Sequence, residues 1–322
     1  MVRVPSARAC TRSYATSPRS GARVGNDVWG EVHVSSITAE SLGKVKASRP
    51  SFLRHEPNEY VDVLRNFSAI STRSGADWPL VLKGASRPSK EILNDLGCYT
   101  SELTLLGGPA SRQPGADPIR GPVVYAMFSG ASMLGCEASC VSLVRLIMAD
   151  QRGVAFRPLF RPNVVRFRAI VRAGRNPFAL ATEGLWLLAQ GKPNAAVRLV
   201  ERALQIGGGD AFAWAAQCKL ALGQARHALG EDGAALELLT AAAEAGQRDA
   251  WRWIGRLAPD EAGRRDAWFK GGIAGDAKSF DLLGDDYAAR AQDETLDRKV
   301  QDELLAWSSE FKQMASRRMS VG

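Results

Sequence analysis

Seven arginines lie between residues 152 and 175: Arg152, Arg157, Arg161, Arg166, Arg168, Arg172 and Arg175. Phe156, Phe160 and Phe167 fall among them, and no acid occurs from 151 to 176. Guanidinium groups neutralise phosphates and aromatic rings stack on unpaired bases, which is the chemistry of an RNA-facing segment. Arg157, Arg161, Arg168 and Arg172 are the residues predicted to make such contacts. The same stretch also supports a plainer use. From Asn163 onward, Val164, Val165, Phe167, Ile170 and Val171 form an apolar stripe, which puts the arginines on the solvated or protein-facing side of a helix.

Other reactive side chains are scattered. Cys10, Cys98, Cys136, Cys140 and Cys218 do not make a disulfide framework for a chain of 322 residues. Cys136 and Cys140 stand four residues apart, on one face of a helix, but a structural zinc takes about four ligands and no second pair is near. They read as buried thiols in a reducing compartment. His33, His55 and His227 are isolated from one another, which gives acid–base chemistry no constellation to work with. No phosphate loop, nucleophile elbow, zinc-protease helix or dinucleotide fingerprint is present. Gly207-Gly208-Gly209 is predicted to join two helices, and the acid pairs Asp285-Asp286 and Asp293-Glu294 to lie at solvated helix ends. No catalytic, cofactor-binding or metal-binding residue is assigned, so the chain is expected not to be an enzyme.

The formal net charge is +8 and 45% of the residues are apolar. The charge is local: the arginine run is purely basic, whereas 177–322 carries more acid than base. Residues 1–26 hold Arg3, Arg8, Arg12, Arg19 and Arg23 with six Ser or Thr and no acid. That composition predicts a mitochondrial transit peptide, and a secretory signal is excluded by the missing apolar core. Arg12, Tyr14 and Ala15 match a matrix-peptidase cleavage pattern. The best candidate for a membrane span, Val123 to Cys136, is too short, since a span needs about 20 residues. A soluble protein of the mitochondrial matrix is expected, with no transmembrane span.

The elements that must position these residues are helical. Residues 27–122 are interrupted by Gly, Pro and Ser and predict an irregular, partly ordered region, with helices at 57–67 and 89–106 and linkers near 68–78 and 107–121. From residue 123 to 322, apolar-periodic segments of helical spacing alternate with Gly, Asp or Pro breakers, and no useful two-residue alternation occurs. That predicts an all-α domain. Asn176-Pro177 and Pro259-Asp260-Glu261 are helix starts. Leu296, Val300, Leu304, Trp307, Phe311 and Met314 form a narrow stripe on a terminal helix, expected to cap the array and open to a second use as a partner-binding helix.

A small residue followed four positions later by glycine recurs at Ala131/Gly135, Ala203/Gly207, Ala242/Gly246 and Gly271/Gly275. Seven residues beyond the last three glycines stand Trp214, Trp253 and Leu282. The spacings suit helix-hairpin repeats, in which the glycine ends one helix in a left-handed turn and the large residue fills the next groove. Here the chain resembles tetratricopeptide-type repeats, especially their Sel-like variant. Residues 180–203, with Gly184, Ala196 and Ala203, fit the tetratricopeptide spacing, and 268–287 looks like a Sel-like junction between hairpins. The resemblance implies an array of helical hairpins, with a partly irregular N-terminal region before it, that binds a protein partner. The expectation is therefore a non-catalytic mitochondrial adaptor, assembly factor or structural subunit. The alternative is an RNA- or mitoribosome-associated factor using the basic 152–175 segment.

Overall fold

The structure is a computed structural model that describes residues 38–48, 53–74, 88–106, 120–149 and 160–321. Among the described residues all regular structure is helical: α1 (Ala39–Ser48), α2 (Pro57–Ser74), α3 (Lys90–Leu106), α4 (Arg120–Met133), α5 (Glu137–Ala149), α6 (Arg161–Ala173), α7 (Pro177–Ala189), α8 (Pro193–Gly207), α9 (Ala215–Ala228), α10 (Asp232–Glu244), α11 (Arg248–Leu257), α12 (Glu261–Ile273), α13 (Ala277–Arg290) and α14 (Arg298–Val321). A single 3₁₀ turn, Gly209–Ala211, follows α8. Each helix packs mainly on its neighbour in sequence, which makes an all-α array of antiparallel hairpins.

The helices expected at 57–67 and 89–106 are present as α2 and α3, and they build a core with α1 and α4. Leu42, Tyr60, Leu64, Phe67, Leu93, Leu96, Tyr99 and Phe128 are all buried in one cluster. That core runs across residue 123, because α4 packs along α3. At its centre the Asp95 carboxylate is buried. It accepts hydrogen bonds from the Tyr60 hydroxyl at 2.8 Å, from the Arg54 backbone N–H at 3.1 Å and from the Arg54 guanidinium at 2.6 Å. Tyr60 in turn accepts from the His55 backbone N–H at 3.0 Å, so its hydroxyl is used both ways. The segment α5–α6 joins this bundle to the array through Cys140, Val141, Val144, Phe167, Ile170 and Ala179.

Four hairpins follow: α7–α8, α9–α10, α11–α12 and α13–α14. Their starts obey the sequence signals. Asn176 accepts from the Ala179 N–H at 3.1 Å and Asp260 from the Gly263 N–H at 2.7 Å, each satisfying a donor that the helix leaves orphaned. What fixes each hairpin is a glycine on its first helix. A methyl group on Gly184 would overlap Val200 and lie 3.3 Å from the Ala196 carbonyl; on Gly223 it would lie 2.6 Å from Leu239 and 3.2 Å from the Ala235 carbonyl. Gly255 and Gly284 stand in the same relation to α12 and α14, 3.1 Å from the carbonyls of Arg264 and Ser308. The backbones touch where the side chain is missing.

One register differs from expectation. Gly135, Gly246 and Gly275 have positive φ and end their helices as the sequence suggests. Gly207 does not: it is the last residue of α8, and Gly208 takes the left-handed position with φ 91°. The cause is Phe212, whose ring lies so close to Gly207 that a Cβ there would sit 2.6 Å from it. Asp285 and Asp286 also depart from the predicted helix end. They lie inside α13, where Asp285 pairs with Lys312 at 2.9 Å and Asp286 with Arg265 at 3.4 Å, tying α13 to α14 and α12.

Candidate functional site

The arginine run resolves into separate fates. Arg161, Arg168 and Arg172 are exposed on α6, whereas Arg157 and Phe156 lie outside the described residues. Phe160 and Phe167 are buried, the first stacked on Tyr125 at 5.6 Å and the second inside the α5–α6 cluster. The described rings that would have stacked on bases are therefore core residues, and the stripe reading of this helix describes them. Arg12, Tyr14 and Ala15 lie outside the described residues.

The repeat-packing residues divide in the same way. Ala203 and Ala242 are buried at helix contacts. Trp214, Trp253 and Leu282, expected to be buried at equivalent positions, are each half-buried in unlike surroundings. Trp214 sits at the start of α9 against Phe178, with ring centroids 4.8 Å apart, and under the Arg145 guanidinium. Trp253 lies beside His227 at 5.9 Å and Arg256 at 4.8 Å. The seven-residue offset fails because α8 runs one residue past its expected end, and the deep position goes to Phe212.

The array ends in an aromatic groove that the sequence pattern indicated only in part. On α14, Leu304, Phe311 and Ala315 face α13 and are buried, as a capping helix requires, while Val300, Leu305 and Trp307 remain exposed. Trp307 is 54% exposed and Phe269 of α12 is 46% exposed. Both flank Phe311: Trp307 stacks on it at 5.9 Å and Phe269 meets it edge-on at 6.4 Å. With Tyr287, Leu283 and Arg265 they line a groove of about 310 Å³. Arg265 is already held by Glu261 at 3.2 Å and Asp286 at 3.4 Å, so its orientation is fixed.

A second, larger cleft of about 580 Å³ opens where α3, α4 and α5 meet α7 and α9. Arg145 of α5 lines it. Burial lowers the pKa of this arginine, and no nearby carboxylate opposes that effect.

The thiols are held protonated. Burial raises the pKa of Cys140 and pushes that of Cys218 up to about 11. His227 contacts Asp232 at 2.7 Å on the surface. Among the described residues no three His, Cys, Asp or Glu side chains are grouped so as to hold a metal ion, and no helix is long and apolar enough to cross a membrane.

No protein-family model matches the chain, and no curated protein matches it. Among solved structures, the crystal structure of MamA aligns with 53% of this chain and 95% of its own length, at 16% identity and a TM-score of 0.37.

Proposed function

We propose that the chain is a non-catalytic adaptor, assembly factor or structural subunit that binds a protein partner in the mitochondrial matrix. The observation that carries this is the groove at the end of the array. Exposed Trp and Phe beside a tethered Arg are the residue types that dominate binding energy at protein interfaces. An exposed apolar patch of this kind, rimmed by ion pairs, is the mark of an interaction surface. A terminal helix that served only as a cap would turn a polar face outward; α14 exposes Val300, Leu305 and Trp307 instead.

The matrix location rests on the acid-free, arginine-rich 1–26 segment. N-terminal sequencing of the protein from mitochondria should find a chain beginning at or just after Ala15, and an intact Met1 would contradict it. The partner is tested by co-purification from mitochondria with and without ribonuclease. Recovery that survives ribonuclease and is lost with Trp307→Ser plus Phe269→Ser is expected. A partner lost on ribonuclease treatment would favour the RNA- or mitoribosome-associated reading. That second reading draws on one observation, the exposure of Arg161, Arg168 and Arg172 on one helix.

A further inference from the structure

The larger cleft contains a cation without a counter-charge. The Arg145 guanidinium carbon lies 4.0 Å from the centre of the Trp214 ring. Stacking occupies one face of the planar group and leaves its N–H edge available, since all five donors of a guanidinium lie in its plane. Among the described residues no carboxylate lies within ion-pair distance of it, and burial is the sole influence on its titration. Arg54, Arg226 and Arg265 contrast with it, because each is met by a carboxylate at 3.2 Å or less. A desolvated charge left unpaired is costly, and the ring offsets that cost only in part.

The walls define what could complete the site. Phe128, Leu146, Met148 and Leu185 present apolar surface, and Ser142 and Gln217 supply polar groups beside Arg145. The volume of about 580 Å³ falls within the range of small-ligand pockets. We propose that this cleft binds a carboxylate carried on an apolar body, with the carboxylate on the N–H edge of Arg145 and the apolar part against Phe128, Leu146 and Leu185. One cation among apolar walls matches one negative charge; a phosphate, with up to two, would leave charge uncompensated. A small carboxylic acid and the C-terminus of an apolar peptide share this chemistry. The site is distinct from the terminal aromatic groove and stands or falls independently of it.

Calorimetric titration of the full chain tests the proposal. The probes are octanoate, octanol, and the tetrapeptide acetyl-Ala-Leu-Ala-Leu with either a free or an amidated C-terminus. Octanoate or the free-acid peptide is expected to bind at least tenfold more tightly than its uncharged counterpart. Arg145→Met should weaken that binding roughly 10–100-fold, the value of a charge-assisted hydrogen-bond pair. It should leave the melting temperature of the unliganded protein unchanged or raised, because an unpaired buried charge is removed. Tighter binding of octanoate identifies the source as a small acid, and tighter binding of the peptide identifies it as a chain terminus. If Arg145→Met does not fold, the comparison of charged and uncharged probes on the unmodified chain decides alone. Equal affinity for octanoate and octanol, no binding of either acid at millimolar concentration, or undiminished binding by a folded Arg145→Met protein would overturn it.

Discussion

Gly223 on α9 lies against the α10 backbone so closely that a methyl group on it would stand 3.2 Å from the Ala235 carbonyl. Gly184 and Ala196 repeat that relationship in the preceding hairpin at the same sequence separation. In an uncrowded helix, Gly→Ala gains about 1 kcal/mol of stability through propensity. Here the sign should reverse. Gly223→Ala is expected to destabilise by roughly 1–3 kcal/mol, the cost of overpacking. Gly233→Ala, in the first turn of α10 with nothing within 4 Å, should be neutral or stabilising. Chemical denaturation of the two variants checks the pair, and equal effects would mean that the hairpins are not in contact there.

The bonding of Tyr60 to Asp95 gives the N-terminal bundle an alkaline limit. Burial, with the neighbouring carboxylate, raises the Tyr60 pKa well above its ordinary value near 10. The folded phenol keeps its proton where the unfolded one loses it, so the contribution to stability is complete below about pH 10 and falls as pH rises further. The expected slope is about 1.4 kcal/mol per pH unit in that window. Tyr60→Phe should lose roughly 1 kcal/mol at neutral pH from the missing hydrogen bond and should abolish the alkaline slope. Denaturation midpoints between pH 8 and 11 provide the measurement.

Phe212 and Trp253 separate the observed register from the expected one. Phe212, buried against Gly207, should cost roughly 3–5 kcal/mol when changed to Ala. Trp253, half-buried beside His227, should cost about 1–2 kcal/mol, a share of the full burial value. A reversal of that order would restore the predicted equivalence of Trp214 and Trp253.

These cases show what was legible in the sequence and why. Helix starts at Asn176 and Asp260 could be read because capping is local, settled by a side chain and an N–H three residues apart. The spacing of Gly184, Ala196 and Ala203 could be read because a close helix contact tolerates only small residues. Burial of a large residue after a turn could not, because one added residue in α8 rotates everything that follows by about 100°. The Arg54–Asp95 pair escaped notice for another reason: its members are 41 residues apart and neither has a sequence signature. The arginine run showed its charge but not that Phe160 and Phe167 would be buried while Arg161, Arg168 and Arg172 stayed outside.

Those three arginines bear on RNA. Changing Arg161, Arg168 and Arg172 to Ala should leave partner recovery intact, since the aromatic groove lies on other helices. If they do hold single-stranded RNA, each lost phosphate contact should flatten the salt slope of binding by roughly 0.7. Titrations of a single-stranded RNA at several salt concentrations, before and after the three changes, distinguish the outcomes.

The most direct test of the account is amide hydrogen exchange of the full chain, free and bound to the partner recovered from mitochondria. Protection is expected to rise along Glu261–Ile273 and Arg298–Val321, the helices that carry Phe269 and Trp307. Trp307→Ser, at an exposed position, should remove that protection without lowering the melting temperature appreciably. New protection confined to Arg161–Ala173, with α12 and α14 unchanged, would contradict it.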